Sequence, residues 1–134
     1  MNETDILTNE QVEILKEVGT CMIATSSKDG FPHCTIVEPS RIENNRIIIP
    51  IVQMVTSKQN ILENPNIFLH FYKINHEDAE LNTQYKISAI ANIENEGELF
   101  EEIKHYEETE VLPEGFYVNG IVVATLLKID KFVG

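Results

Sequence analysis

The sequence predicts a mainly β protein with flanking helices, its six strands antiparallel in a closed or nearly closed barrel. Three observations predict it. Strand-like apolar segments recur along the chain, at CMIATS, RIIIPIV, NIFLHFY, KISAIANIE and GIVVATLL. Tight-turn residues join the first three strands, at Asp29-Gly30 and Glu43-Asn44-Asn45. Such hairpins make neighbours antiparallel and exclude a doubly wound parallel sheet. Helical periodicity is confined to three short stretches. With 134 residues, and with no repeat, low-complexity tract or linker, the chain reads as one domain over 1–134.

The elements follow in order. Thr8 to Gly19 predicts a helix: Thr8 caps it, Gln11 completes a capping box, Val12, Leu15 and Val18 form one stripe, and Gly19 stops it. Thr20 to Ser26 is a strand, and Ser27-Lys28-Asp29-Gly30 a turn in which Gly30 supplies positive φ. Pro32 to Ile42 returns as a second strand, with Pro39 marking an edge or a bulge. Glu43-Asn44-Asn45 turns next, since Asn tolerates the left-handed region. Arg46 to Val52 is a third strand whose unbroken apolar run suggests burial on both faces. Thr56 to Glu63 is a short helix ended by Asn64-Pro65. Asn66 to Lys73 is a fourth strand, Ile74 to Asn82 an acidic loop, and Thr83 to Glu94 a fifth strand. Gly97 to Glu108 is an amphipathic helix with Leu99, Phe100, Ile103 and Tyr106 on one side. Tyr117 to Phe132 is a long closing strand.

Composition narrows the function. The net charge is −12, from 22 acidic and 10 basic residues. Such a surface repels nucleic acid and anionic membranes, both of which are bound through Lys and Arg. It suits a basic protein partner, and it makes an anionic ligand depend on a local device. No apolar run approaches the roughly 20 residues of a membrane span. The polar N-terminus MNETDILTNE does not read as a signal or transit peptide, so the expected location is the cytoplasm. Cys21 and Cys34 sit in strand-like runs, out of register for a disulfide, and read as reduced core thiols. His33, His70, His76 and His105 have no metal-ligand spacing and read as structural or surface residues, so no metal is expected. The run Glu107, Glu108, Glu110 reads as a solvated face, and Glu38 and Arg41 as a cross-strand ion pair or substrate contacts. No nucleophile elbow, Walker loop or GxGxxG is present.

The densest chemistry lies in NRIIIPIVQMVTSKQNILENPNIFLHFY, Asn45 to Tyr72. Hydroxyls, an amide and a lysine stand where a helix begins, which is the chemistry of a phosphate seat. Thr56 and Ser57 serve equally well as ordinary helix caps.

That segment resembles the phosphate-binding region of the FMN-binding split barrels of the pyridoxamine 5′-phosphate oxidase type. GTCMIATSSKDGFPH is similar to the family's first hairpin, GELFEEIKHYEET to its late amphipathic helix and YVNGIVVATLLKI to its closing strand. Nearly the whole chain is covered, most closely by the small single-domain members. The resemblance implies a six-stranded split barrel that dimerises, with FMN in the groove between subunits. It implies that Cys34, Thr35 and Ile36 border the flavin ring. Pro50, Ile51, Val52 and Gln53 would contact ring and ribityl through backbone. Thr56, Ser57 and Lys58 would hold the phosphate, and Asn60 would fix the loop. Many relatives carry a phosphate lysine three or four residues before the position of Asn60. Here Lys58 is shifted by one residue, a rotation of about 100° on a helix.

The implied function is that of an FMN-binding oxidoreductase or electron-transfer protein, with no catalytic acid or base identified. The alternatives are a split barrel that holds a deazaflavin or haem, and a flavin carrier whose acidic surface docks a basic redox partner.

Overall fold

The structure, a computed structural model, describes residues 5–134. The first residues of the polar N-terminal segment, 1–4, lie outside this range. Twelve elements include α1 (Asn9–Val18), β1 (Cys21–Ser26), β2 (Pro32–Val37), β3 (Arg41–Ile42), β4 (Arg46–Ile51) and α2 (Val55–Glu63). They continue with β5 (Asn66–Lys73), a 3-10 turn at Ala79–Leu81, β6 (Thr83–Glu94), α3 (Glu98–Tyr106), a π-helical turn at Glu107–Val111 and β7 (Gly120–Val133).

The seven strands form one antiparallel sheet in the order β2-β1-β5-β6-β7-β4-β3. The expected second strand, Pro32 to Ile42, is therefore two strands. They break at Glu38-Pro39-Ser40, because proline has no N–H for a ladder. The halves lie on opposite edges of the sheet. Three residues span at most about 14 Å, so the sheet must curl until its edges meet. The connector closes the barrel with chain rather than with hydrogen bonds. Ser40 N–H still donates to Ile48 C=O at 2.8 Å, extending the β3–β4 ladder to the break.

β4 and the first half of β7 are buried on both faces, as the apolar run of β4 predicts. Ile47, Ile49, Ile51, Val122, Ala124 and Leu126 point into the barrel core with Ile23, Leu69, Phe71 and Ile87. Ile48, Ile121 and Val123 point outward and are covered by Phe100, Ile103 and Val118. This is how the amphipathic face of α3 is used.

Local signals hold at the N-terminal helix. Thr8 Oγ1 accepts from Gln11 N–H at 3.1 Å, and Gln11 Oε1 accepts from Thr8 N–H at 2.9 Å. Gly19 ends α1 in the left-handed region at φ 79°, where an L side chain would be strained. Gly30 has φ 84° in the first hairpin. The second hairpin differs from expectation: no described non-glycine residue has positive φ. Asn44 instead acts by hydrogen bonding. Its C=O accepts from Ile6 and Leu7 N–H, and its Nδ2 donates to Leu7 C=O at 2.9 Å and Asn9 Oδ1 at 2.8 Å. The turn thereby pins the entrance to α1. The closing strand starts at Gly120, three residues later than expected.

Candidate functional site

β4 ends at Ile51, and Val52-Gln53-Met54 carries the chain into α2. Two bonds hold this exit: Asn119 N–H donates to Ile51 C=O at 2.8 Å, and Asn119 Nδ2 to Val52 C=O at 3.2 Å. α2 begins at Val55 with Met54 as N-cap, and no side chain caps it. The reading of Thr56 and Ser57 as caps is thus corrected: they lie inside the first turn. The first N–H groups of a helix have no intrahelical partner and carry its positive dipole end. Here the cap that would normally satisfy one of them is missing.

The first turn splits its residues between two sides. Thr56 is exposed, whereas Ser57 is buried and its Oγ has no hydrogen-bond partner among the described residues. Ser57 shares the inward side of α2 with Asn60 and Ile61. Asn60 Nδ2 donates to Thr25 Oγ1 at 3.1 Å, and Asn64 Nδ2 to Ser26 Oγ at 2.9 Å. These bonds rivet α2 to β1, as a loop-fixing Asn60 requires.

Two cavities meet at the Val52–Met54 segment. The larger, about 430 Å³, is lined by Ile51, Val52, Gln53, Lys58 and Asn119 among others. Among the described residues Lys58 is its one charged liner. The smaller, about 280 Å³, shares Val52, Gln53 and Met54 and adds Thr35, Ile36, Pro50, Glu38 and Glu107. Among the described residues it is lined by two carboxylates and by no Lys, Arg or His. Seven of the ten expected site residues thus line one of two adjoining hollows. Thr56, Ser57 and Cys34 line neither. The cysteines are also corrected. Cys21 is buried, with its thiol pushed up to about 12 by burial, but Cys34 is exposed. They are out of register, Cys21 opposite Val37 and Cys34 opposite Ala24.

Glu107 was expected on a solvated face, and the structure overturns that. It is 5% exposed, in the π-helical turn after α3, a distortion that recurs at functional sites. Burial raises its pKa above the ordinary carboxylate value. The Ser40 hydroxyl beside it lowers it in part, and Glu38 adds to the rise. Burial outweighs the Ser40 effect, and that of Glu38 is the smallest of the three. Glu108, the next residue, behaves oppositely: Lys104 Nζ and Val118 N–H donate to it and lower its pKa. Arg41 pairs with Glu102 at 3.3 Å and not with Glu38. The signal for Glu107 was present in the sequence. It stands seven residues after Phe100 and four after Ile103, on the buried stripe.

Residues 7–126 match the family model for pyridoxamine 5′-phosphate oxidase. Solved structures agree on the fold. HupZ of Group A Streptococcus is 18% identical with a TM-score of 0.78, over 96% of this chain and 96% of that one. An FMN-binding protein from Syntrophomonas wolfei is 16% identical with a TM-score of 0.74, over 93% and 86%. HutZ of Vibrio cholerae, a heme storage protein, is 16% identical with a TM-score of 0.68, over 96% and 94%. No curated protein sequence matches at a significant level. No described helix is long and apolar enough to cross a membrane. With nearly its whole length matched and a sheet closed by the broken β2–β3 strand, the chain belongs to the pyridoxamine 5′-phosphate oxidase family.

Proposed function

We propose that this protein is an FMN-binding flavoprotein of the cytoplasm that works in electron or hydride transfer. The observation that carries the reading is the position of Lys58. Its one-residue shift does not carry it away from the site, since it lines the larger cavity, which adjoins the smaller at Val52–Met54. One further feature fits a phosphate: the uncapped first turn of α2. The similar fold of the Syntrophomonas wolfei FMN-binding protein supports the choice of cofactor.

When bound, FMN supplies the redox chemistry, uptake and release of a hydride or of single electrons at the flavin ring. The chain's own residues hold and orient it. Lys58 neutralises the phosphate against a protein of net charge −12, and Thr56 with the N–H groups of the first turn donates to it, while buried Ser57 sets the inward side of that turn. Pro50, Ile51, Val52 and Gln53 present a rigid strand end to ring and ribityl, kept in place by Asn119. Thr35 and Ile36 on β2 close the ring side, with Cys34 beside them on the exposed face.

The working unit is a homodimer. The outer face of β2, β1, β5 and β6 exposes Ile36 at 70%, Met22 at 40%, Phe68 at 38% and Ile90 at 37%. These residues sit opposite or diagonal to one another in the ladders. A second copy seated there covers the patch and, because Ile36 belongs also to the smaller cavity, walls that cavity.

The reading is tested by FMN affinity in variants. Lys58→Ala weakens binding by about tenfold or more, as does Thr56→Ala with Ser57→Ala, each charge-assisted bond contributing roughly 1.5–3 kcal/mol. Unchanged affinity in both variants removes the phosphate seat. Steady turnover with a nicotinamide donor then marks an enzyme. Salt-sensitive electron exchange with a basic protein marks a carrier.

A further inference from the structure

The bare outer face of the sheet has a fixed layout, because residues directly opposite in antiparallel ladders share a face. One row across β2, β1, β5, β6 and β7 is Ile36, Met22, His70, Lys86 and Asp130. The next is Cys34, Ala24, Phe68, Ser88 and Lys128. Both rows are apolar towards β2 and carry their charges towards β6 and β7. Two polar groups of the first row are drawn away from the second. His70 Nε2 donates to Gln84 Oε1 at 2.8 Å, and Lys86 Nζ lies 4.8 Å from the centre of the Phe132 ring. Lys128 and Asp130 pair at 3.4 Å with side chains 68% and 47% exposed, so both stay open to further charges.

This layout is self-complementary in one orientation. Sheets stacked face to face keep their strand directions within about 30°, and a two-fold axis relating them lies in the plane between them. The axis thus runs along the strands or across them. Along the strands it reverses their order, so covering β2 brings the charges of β6 and β7 onto apolar Ile36 and Met22, at a desolvation cost. Across the strands it keeps the strand order and reverses the rows. Centred on either row, it stacks Asp130 on the partner's Asp130 or Lys128 on the partner's Lys128. Centred between the rows, it sets Lys128 against the partner's Asp130 at each end. It also sets Ile36 against the partner's Cys34 and Phe68 against the partner's His70.

We propose that two copies dimerise on this face with the axis across the strands, between the Ile36 and Cys34 rows, held in register by reciprocal Lys128–Asp130 ion pairs. The proposal rests on the homodimer reading and adds its orientation. Exposed pairs of this kind select a register more than they add affinity. The orientation also gives the partner a place at the site. β2 lies on the partner's β2, and the partner's Cys34 packs against Ile36, a residue of the smaller cavity.

The test uses two charge reversals, Lys128→Glu and Asp130→Lys, on the full chain. Urea unfolding checks that each variant folds, as expected for exposed positions. In sedimentation the wild-type protein is a dimer. Each variant alone has a dimer dissociation constant about tenfold or more higher, because like charges now meet at both ends. Mixed in equal amounts, the two variants restore dimers, since each reversed charge meets its opposite on the other chain. Native mass spectrometry shows these to be heterodimers. Loss of the pair within one chain gives no such rescue, because mixing leaves it lost. A mixture no more dimeric than its components overturns the proposal, as do variants that dimerise as tightly as the wild type. With a dimeric wild type, either result leaves the homodimer reading standing. A monomeric wild type overturns both.

Discussion

The barrel presents two outer faces that the same chain treats differently. On β4 and β7, Ile48, Ile121 and Val123 are covered by α3, through Phe100 and Ile103. On β2, β1 and β5, Ile36, Met22 and Phe68 stay in solvent. Both faces are apolar, so the difference lies in what the chain supplies to cover them. α3 completes one face within the subunit. The chain supplies no such cover for the other, the face we assign to a second copy, and Ile36 joins it to the cavity where we place the flavin ring.

The largest expected effect comes from uncovering the covered face. Ile103→Ala or Phe100→Ala costs about 2–5 kcal/mol, read from urea unfolding, because each leaves a cavity among fully buried isoleucines. Ile36→Asp on the bare face behaves in the opposite way. It leaves subunit stability within about 0.5 kcal/mol and shifts the mass in sedimentation from dimer to monomer. A large loss of subunit stability with unchanged mass would erase the distinction.

Asn60→Ala removes a buried bond to Thr25 and leaves that hydroxyl unsatisfied, an effect of about 1–3 kcal/mol by the same unfolding assay. Glu107→Gln sharpens the account of the seam between α3 and the cavity. Glu107 holds its proton to higher pH in the folded chain than when unfolded. Its contribution to stability is full below the ordinary carboxylate range and is lost as the pH rises through the raised folded value. The variant has no such loss, so it is the more stable protein above that window, and the difference disappears at acid pH. Identical pH profiles would mean that Glu107 is solvated. The smallest effect is chemical: iodoacetamide at pH 8 labels the exposed Cys34 once per native chain and spares the buried Cys21.

The comparison also shows which features a single sequence exposes. Local chemistry was legible for Thr8 and Gln11 at the cap and for Gly19 and Gly30 at positive φ, but not for Asn44 or for the start of α2. Burial on both faces was legible in β4 because three consecutive isoleucines have no polar side to offer. The break of the second strand was only half legible. Pro39 marks the irregularity, but nothing local says that Arg41-Ile42 pairs with β4 at the far edge of the sheet, since that is a property of closure. The burial of Glu107 and of Ser57 was missed for a shared reason. Each occupies the buried stripe of its helix with a polar side chain, and a search for apolar periodicity passes over such positions. The site residues of β2 and β4 came from family resemblance rather than from residue chemistry. Their convergence on the Val52–Met54 segment is a consequence of the fold.

The central claim is that a phosphate-bearing flavin spans the two cavities, with its phosphate at the first turn of α2. Titrating the cofactor-stripped protein with FMN and with riboflavin, and following the quenching of flavin fluorescence, tests it directly. The two ligands share the ring and differ in the phosphate, so the account predicts tight FMN binding and binding of riboflavin at least tenfold weaker. Equal affinity for the two, or no binding of either, would contradict it.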